Sequence, residues 1–233
     1  MSGALGLDGA AGAWVGWHLQ EGHSQALVIE SQAQLLEVLK TVELVFIDIP
    51  IGLADDHHHR VCDQLLRRRL KNRKSSVFPC PTRAAVYAET YEQACERNVE
   101  ISGKKLSKQS WNICDKIRQI DTLLQNNPGI QMLESHPEYL FQYLNDDLPI
   151  LSSKKTKEGY LQRLEIIRRY HPELFSKLSQ ALPFRRGKID DWVDAGILAI
   201  AASMALTSGF VSIPEVPSTD ALGFSMAIHL PLI

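Results

Sequence analysis

The chain has 233 residues, 45% of them hydrophobic, and a formal net charge of -2. This length allows one α/β domain with a real hydrophobic core, and the near-neutral charge excludes a protein that coats nucleic acid through a global basic field. The most apolar late stretch, residues 192–206, is shorter than the roughly 18 residues of a membrane span. The four cysteines form no CxxC pair and no secretory signal is present, so we expect reduced thiols in a soluble, cytoplasmic protein without a membrane partner.

The first 30 residues predict three short strands. Residues 4–7 lead into Asp8, and the glycines at both ends of residues 9–12 favour a turn. Residues 14–19 and 26–29 carry the bulky and β-branched side chains of strands.

A helix and a buried strand follow. Ser31 is suited to cap a helix that ends near Lys40, and residues 42–49 form an apolar run typical of a strand buried on both faces. The order β, β, β, α, β makes the helix a crossover into a strand parallel to the first. The sequence therefore predicts a mixed sheet in an α/β fold.

We interpret residues 52–128 as a mostly helical insertion within a single domain spanning residues 1–233. The run RRRLKNRK at residues 67–74 is its only local basic footprint for nucleic acid, or else a solvated helix face. The other predicted elements are a helix at 110–124, a strand at 130–133 that ends at Glu134, a helix start at Pro137, surface helices at 156–170 and 172–182, a buried helix at 190–206, and a short edge segment within 216–233.

Four aspartates are the candidate site. Asp48 lies inside VFIDIPIG, where a charge is unfavourable unless it is paired or binds a cation. If its strand is parallel to the first, Asp8 and Asp48 lie together near the strand ends, where α/β sheets bind ligands. Asp191 and Asp194 are three residues apart, on one face of the last helix. Each aspartate alone has a plain alternative as a turn residue, a helix cap or a surface ion pair.

Four converging carboxylates would repel each other strongly unless a cation neutralised them. Hard oxygen ligands suit Mg²⁺ or Mn²⁺. The sequence therefore predicts one or two such ions held by Asp8, Asp48, Asp191 and Asp194, with a metal-activated water as nucleophile and the leaving oxygen stabilised.

Five further residues are candidates for substrate binding. Arg60 and Arg83 have the fork geometry for phosphate or carboxylate, although structural pairing with a buried acid is an equal alternative. Lys154 and Lys155 precede a predicted helix and can contact a phosphate backbone, or lie in solvent. His136 is either a proton shuttle near the site or a buried, hydrogen-bonded histidine.

The segments GLDGAAGAW, FIDIPIGLAD, RVCDQLLRR, SSVFPCPTRAA, ESHPEYLF, SKKTKEGY and DDWVDA occur in this order over nearly the whole chain. In these segments the chain resembles the bacterial family described as predicted RNase H-like nucleases, domain-of-unknown-function family 429. The resemblance implies an RNase H-like mixed five-stranded sheet flanked by helices.

The chain is also distantly similar to Holliday-junction resolvases. Those enzymes have acids on the first strand, at the end of the fourth strand and as a DxxD pair on the last helix. The similarity implies these roles for Asp8, Asp48, Asp191 and Asp194, with Glu134 as a further catalytic candidate.

These residues favour a metal-dependent nuclease acting on DNA or RNA. Two alternatives stay open: a non-catalytic RNase H-like module that binds nucleic acid or protein, and an actin-like or sugar-kinase-type phosphotransferase or ATPase. The turn after Asp8 lacks the glycine and threonine pattern for gripping nucleotide phosphates, which weighs against the last. The sequence leaves the oligomeric state open, a homodimer included.

Overall fold

The structure, a computed structural model, describes residues 3–70, 76–180 and 186–233. Its strands are β1 (Gly3–Ala10), β2 (Ala13–Gln20), β3 (His23–Ile29), β4 (Val42–Ile47), β5 (Met132–Glu134), β6 (Phe210–Thr219) and β7 (Ser225–Pro231). Its helices are α1 (Gln32–Leu39), α2 (Cys62–Arg69), α3 (Arg83–Val86), α4 (Tyr91–Ser102), α5 (Lys108–Asn112), α6 (Cys114–Asn126), α7 (Pro137–Tyr143), α8 (Lys157–Tyr170), α9 (Pro172–Ser179) and α10 (Ile189–Ser208).

Five strands form one mixed sheet in the order β3-β2-β1-β4-β5. β1 pairs antiparallel with β2 and parallel with β4, and β4 pairs parallel with β5. The predicted α/β fold with a mixed five-stranded sheet flanked by helices is confirmed, and so is α1 as the crossover into a parallel strand. Leu7 is opposite Ile47 in this register, so Asp8 and Asp48, the next residue of each segment, lie side by side.

The sheet separates two hydrophobic cores. Along β1, Ala4 belongs to the core that contains α10, whereas Leu5 and Leu7 belong to the core on the other face. Along β4, Phe46 is on the α10 side. Because side chains alternate between faces along a strand, the even-numbered Asp8 points to the α10 side. The same alternation, continued one residue beyond Ile47, directs Asp48 to that side as well.

A glycine lets α10 approach the sheet. A Cβ built on Gly6 would lie 2.1 Å from the backbone nitrogen of Ala199 and 2.3 Å from the carbonyl oxygen of Ala195. Any larger residue in β1 would therefore push the helix away from the strand. This close approach determines the position of Asp194, one residue before Ala195, relative to Asp8.

Two predicted boundaries differ from the structure. β1 continues through Ala10, so Asp8 is inside a strand and the turn is confined to Ala11 and Gly12, where Gly12 has a φ of 69°. The C-terminal segment is longer than expected and forms a separate two-stranded sheet, β6 with β7, instead of an edge of the main sheet. β6 contains Pro214 and Pro217, and proline cannot donate to a second neighbouring strand.

The other predicted elements occur near their expected bounds. Five helices, α2 to α6, occur between Cys62 and Asn126, in the segment for which we predicted a helical insertion; its independence as an insertion stays a prediction. Residues 71–74 of the basic run and residues 181–182 of the helix predicted at 172–182 lie outside the described residues. Across residues 3–70, 76–180 and 186–233, no helix combines the length and apolarity needed to cross a membrane.

Candidate functional site

Three of the four predicted aspartates line one pocket of about 640 Å³ at the carboxyl ends of β1 and β4. Asp8 comes from β1, Asp48 directly follows β4, and Asp194 is in the second turn of α10. The three elements meet because β1 and β4 are parallel neighbours and α10 packs directly on β1. The pocket therefore brings together carboxylates that are up to 186 residues apart in the chain, from Asp8 to Asp194.

These carboxylates are close enough to affect each other's ionisation. Burial raises the pKa of Asp8 well above its ordinary value, and the charges of Asp48, Asp194 and Asp191 raise it further. Burial also raises the pKa of Asp194, to about 7, and that of Asp48, against the opposing effects of His136 and Lys154. The pocket concentrates negative charge that its surroundings do not fully neutralise.

Lys154 is the cation of this cluster. Its Nζ lies 2.5 Å from Oδ2 of Asp194 and 3.9 Å from Oδ2 of Asp190. Burial disfavours the charged amine, but the carboxylates outweigh burial and hold the pKa of Lys154 above its ordinary value. The pairing is incomplete, since Oδ1 of Asp194, a residue only 3% exposed, has no hydrogen-bond partner among the described residues.

Asp191, the fourth predicted ligand, has a different task. Its Oδ2 accepts a hydrogen bond of 2.7 Å from the backbone N–H of Lys188, the N-cap residue of α10. It does not line the pocket, although its charge acts on Asp8. The predicted convergence of the DxxD pair therefore applies to Asp194, while Asp191 stabilises the helix terminus.

Glu134 lines the edge of the pocket but belongs to a separate ion cluster. Met132, two residues earlier in β5, belongs to the core on the face away from α10. Because side chains alternate along a strand, Glu134 points to that same face. Arg60 donates to both of its oxygens, at 2.7 and 3.0 Å, and the backbone N–H of Ile51 donates to Oε2 at 2.8 Å. Asp63 is the second acid on Arg60, at 2.8 Å. We refer to Arg60, Glu134 and Asp63 as the arginine cluster.

A family model described as Protein of unknown function (DUF429) matches residues 6–219 of the chain. The chain belongs to the DUF429 family. The matched region contains all the carboxylates of the pocket and the arginine cluster. No curated protein and no solved structure matches the chain.

Arg60, Arg83 and Lys155, predicted to bind substrate, do not line the pocket of this DUF429 protein. Arg60 is buried in the arginine cluster and also donates to the carbonyl oxygens of Ile51 and Gly52. Arg83 binds Asp121 at 2.8 Å and Asp220 at 2.6 Å. Lys155 is exposed on the surface. The structure thus gives both arginines the structural ion pairs that the sequence had left as the alternative.

His136 and Lys154, the other two candidates, do line the pocket. Nδ1 of His136 accepts the backbone N–H of Tyr139 at 3.3 Å and caps α7. An imidazole that accepts through Nδ1 carries its proton on Nε2 when neutral. His136 therefore has one nitrogen committed to structure and one available to a ligand.

Sequence reasoning missed Lys116, which reaches the pocket of the DUF429 chain from α6. Its Nζ donates to the carbonyl oxygen of Ala13 at 2.6 Å and lies 4.2 Å from the centre of the Trp14 ring. Asp8 is close enough to raise the pKa of this lysine, although burial has the larger effect and lowers it. Nothing distinguishes Lys116 in sequence from any other lysine on a helix.

Glu138 is a second missed pocket residue. Both of its oxygens accept hydrogen bonds of 2.8 Å from Arg163, which is 1% exposed. The quoted segment ESHPEYLF contains Glu138, so the motif was a signal that could have led to it.

The residues present are chemically suited to a hard divalent cation. Asp8, Asp48 and Asp194 offer only carboxylate oxygens, the ligands of Mg²⁺ and Mn²⁺, and Oδ1 of Asp194 has no other partner. In the described part of the chain, however, no group of three or more histidine, cysteine, aspartate or glutamate side chains is already arranged to hold a metal ion. Binding therefore requires the carboxylates to draw together, and an ion held by both oxygens of Asp194 would displace Lys154 from Oδ2.

Proposed function

We propose that this DUF429 protein is a divalent-metal-dependent hydrolase of phosphodiester bonds in nucleic acid, with Asp8, Asp48 and Asp194 as the metal ligands. The observation that carries the proposal is the incompletely neutralised carboxylate cluster in the pocket. Its members come from three elements, Asp8 is repelled by the other acids, and Oδ1 of Asp194 is buried without a partner. A protein keeps such an arrangement when a ligand supplies the missing positive charge.

The strand order supports the RNase H-like interpretation. The sheet has the predicted five strands, with β2 antiparallel and β1, β4 and β5 parallel. The acids then occupy the first strand, the end of the fourth strand and the last helix, as the similarity to resolvases implies. Asp191 departs from that pattern because the helix cap occupies it.

The pocket residues have separable roles in this reaction. A bound Mg²⁺ or Mn²⁺ supplies positive charge at the phosphate and lowers the pKa of a water molecule. Asp8, Asp48 and Asp194 hold the ion. Lys154, once released from Asp194, is within reach of the same space and can neutralise a phosphate oxygen, and Nε2 of His136 can exchange a proton with the leaving oxygen.

Mn²⁺ binding and hydrolysis, measured on the same preparations, test the proposal. We expect saturable Mn²⁺ binding by electron paramagnetic resonance and metal-dependent cleavage of single-stranded DNA, RNA or bis(p-nitrophenyl) phosphate. Asp8→Asn and Asp48→Asn should each reduce turnover by at least about 100-fold. The control is Asp115→Asn, because the side chain of Asp115 is 92% exposed and lies outside the pocket. Absence of both metal binding and cleavage in the wild-type protein would overturn the proposal.

The Lys154–Asp194 pair favours a second candidate, a non-catalytic module that binds nucleic acid or protein. An internal lysine already neutralises part of the cluster, so the charges need no metal in that case. This candidate predicts nucleic-acid binding that EDTA does not change and that survives Asp48→Asn. Loss of binding in Asp48→Asn together with a requirement for Mn²⁺ would exclude it.

A further inference from the structure

The pocket is chemically divided. Its lining includes the carboxylates of Asp8, Asp48 and Asp194, and Phe78, Val77 and Ile113 contribute apolar surface to the same cavity. Phe78 is 43% exposed, whereas Val77 is buried and Ile113 is partly buried. An aromatic ring is thus presented to the pocket with much of its surface open to solvent.

Two hydrogen bonds hold the backbone that follows Phe78. Pro79 follows Phe78 directly, which restricts Phe78 to extended backbone conformations. The hydroxyl of Ser110 donates to the carbonyl oxygen of Pro79 at 3.3 Å, and the backbone N–H of Cys80 donates to Asp63 at 3.2 Å. These contacts restrain the backbone on the C-terminal side of the ring, which reduces the entropy lost when a ligand orders it.

The cations of the pocket are already engaged. Among the described residues that line it, the lysines are Lys116 and Lys154, and they contact Ala13 and Asp194. Double-stranded nucleic acid is bound mainly through many phosphate contacts from lysine and arginine. The described part of the pocket offers few such contacts, so we look for affinity for a nucleotide in contacts with its base.

Asn112, which directly precedes Ile113 in the chain, also lines the cavity and is exposed. A side-chain amide has both a donor and an acceptor, as the edge of a nucleobase requires. The cavity of about 640 Å³ is within the usual size range of small-ligand pockets. Ring, amide and apolar wall together match one unstacked base.

We propose that Phe78, Val77 and Ile113 form a nucleobase subsite, with Asn112 at the base edge. The substrate is then an unpaired nucleotide of a single strand, whose phosphate reaches the Asp8–Asp48–Asp194 end. This inference rests on the proposed function for the phosphate end, while the base end stands on its own contacts. A paired base has both faces covered by its neighbours and cannot meet Phe78 without leaving the stack.

Nucleoside binding without metal tests the base end alone. Adenosine and uridine are titrated into the protein in EDTA by calorimetry, with ribose as the probe that lacks a base. Phe78→Ala should weaken nucleoside binding by roughly 5- to 100-fold, the range expected when an aromatic partner of one base is removed. Phe78→Tyr keeps the ring and should bind as the wild type does. Phe210→Ala, a change of the same type at an exposed phenylalanine outside the pocket, should have no effect.

The outcomes distinguish the two proposals. Nucleoside binding that depends on Phe78, in a protein without Mn²⁺ binding or cleavage, supports the subsite and removes the phosphodiesterase. Metal-dependent cleavage with the same efficiency in Phe78→Ala, or equal cleavage of single and double strands, overturns the subsite and leaves the phosphodiesterase. Ribose binding as tight as that of adenosine overturns the subsite as well.

Discussion

Two groups of acids line one pocket and differ in how completely their oxygens are hydrogen-bonded. In the arginine cluster, each oxygen of Glu134 and Asp63 accepts at least one hydrogen bond, and Arg60 supplies most of them. In the group formed by Asp8, Asp48 and Asp194, hereafter the aspartate cluster, Lys154 forms an ion pair with Asp194, and Oδ1 of Asp194 has no described partner. The first group is complete in the folded chain, whereas the second lacks positive charge.

We interpret the arginine cluster as structural and the aspartate cluster as functional. A buried acid with its full set of partners needs no ligand, and removing one partner mainly destabilises the fold. A buried acid that lacks some of its hydrogen-bond or ion-pair partners lowers the stability of the fold. Such an acid is retained where a bound ligand supplies the missing partner. Removing the cation of either cluster should therefore destabilise the fold, whereas removing an acid of the incomplete cluster should stabilise it.

The largest effect should follow the loss of Arg60. Arg60→Met leaves Glu134 and Asp63 buried without their cation, because the Arg60 side chain is only 3% exposed and contacts both. We expect a loss of about 3–5 kcal/mol in the free energy of unfolding, which for a chain of this size lowers Tm by roughly 6–20 °C. Urea unfolding followed by circular dichroism measures it.

Arg168→Met is the matched control for this prediction. Arg168 pairs with Glu165 at 2.7 Å, but both side chains are more than half exposed, and exposed pairs contribute about 0–1 kcal/mol. Equal losses in the two variants would mean that the arginine cluster has no special role in stability.

A smaller effect, dependent on metal, should follow the loss of Lys154. In EDTA, Lys154→Met removes the cation of the aspartate cluster and should reduce the stability by about 1–3 kcal/mol, less than for Arg60 because this side chain is 34% exposed. Mn²⁺ should restore much of the loss, since an ion no longer has to displace the amine from Asp194. Stabilisation by a ligand that binds only the folded state measures its affinity.

Lys155→Met, the neighbouring exposed lysine outside the pocket, is the control for Lys154. It should leave both the stability and the Mn²⁺ response unchanged. A Lys154→Met protein that Mn²⁺ does not stabilise would contradict the assignment of Asp8, Asp48 and Asp194 as metal ligands.

Replacement of Asp8 should raise the stability of the metal-free protein, whereas the two preceding replacements lower it. Its pKa in the folded protein is above the ordinary value of 3.8, so the folded state holds this proton more tightly than the unfolded chain. The associated stability is present at low pH and is lost as the pH rises above 3.8 toward the folded pKa. Asp8→Asn removes the charge and should stabilise the metal-free protein at pH 7 by about 1 kcal/mol, or roughly 2–4 °C in Tm.

Tm measured against pH in EDTA tests this prediction. The wild type should lose stability relative to Asp8→Asn as the pH rises from about 4, and the two should converge below that pH. Asp115→Asn should run parallel to the wild type, because Asp115 is exposed. An Asp8→Asn protein that is less stable than the wild type at pH 7 would place Asp8 among the satisfied acids.

The sequence was sufficient for the sheet and for the pairing of Asp8 with Asp48, because both depend on local patterns. Alternating and continuous apolar runs predicted β1 to β4, and the crossover rule made β1 and β4 parallel. Once the strands are parallel neighbours, the two aspartates meet without further information.

The partners of the acids depend on contacts that no local pattern encodes. Lys154 is 40 residues from Asp194, and Arg60 is 74 residues from Glu134. The capping role of Asp191 depends on where α10 begins. With Lys188 as N-cap, Asp191 is the third residue of the helix, and its carboxylate accepts the backbone N–H of Lys188. Sequence periodicity placed Asp191 and Asp194 on one face but could not choose between cap and ligand.

The smallest effect is expected at Glu173, an acid outside both clusters. Glu173 accepts hydrogen bonds from Lys177 and Ser24, both at 2.8 Å, and the bond from Lys177 is the main reason that its pKa is lowered from 4.5 to about 2. A lowered pKa means that the contribution is complete above pH 4.5 and is lost as the pH falls toward 2. Because the side chain is 37% exposed, Glu173→Gln should reduce the stability at pH 7 by only about 0.5 kcal/mol. Acid unfolding of the variant and the wild type should converge near pH 2, and a loss as large as that of Arg60→Met would mean that burial does not explain the contrast between the clusters.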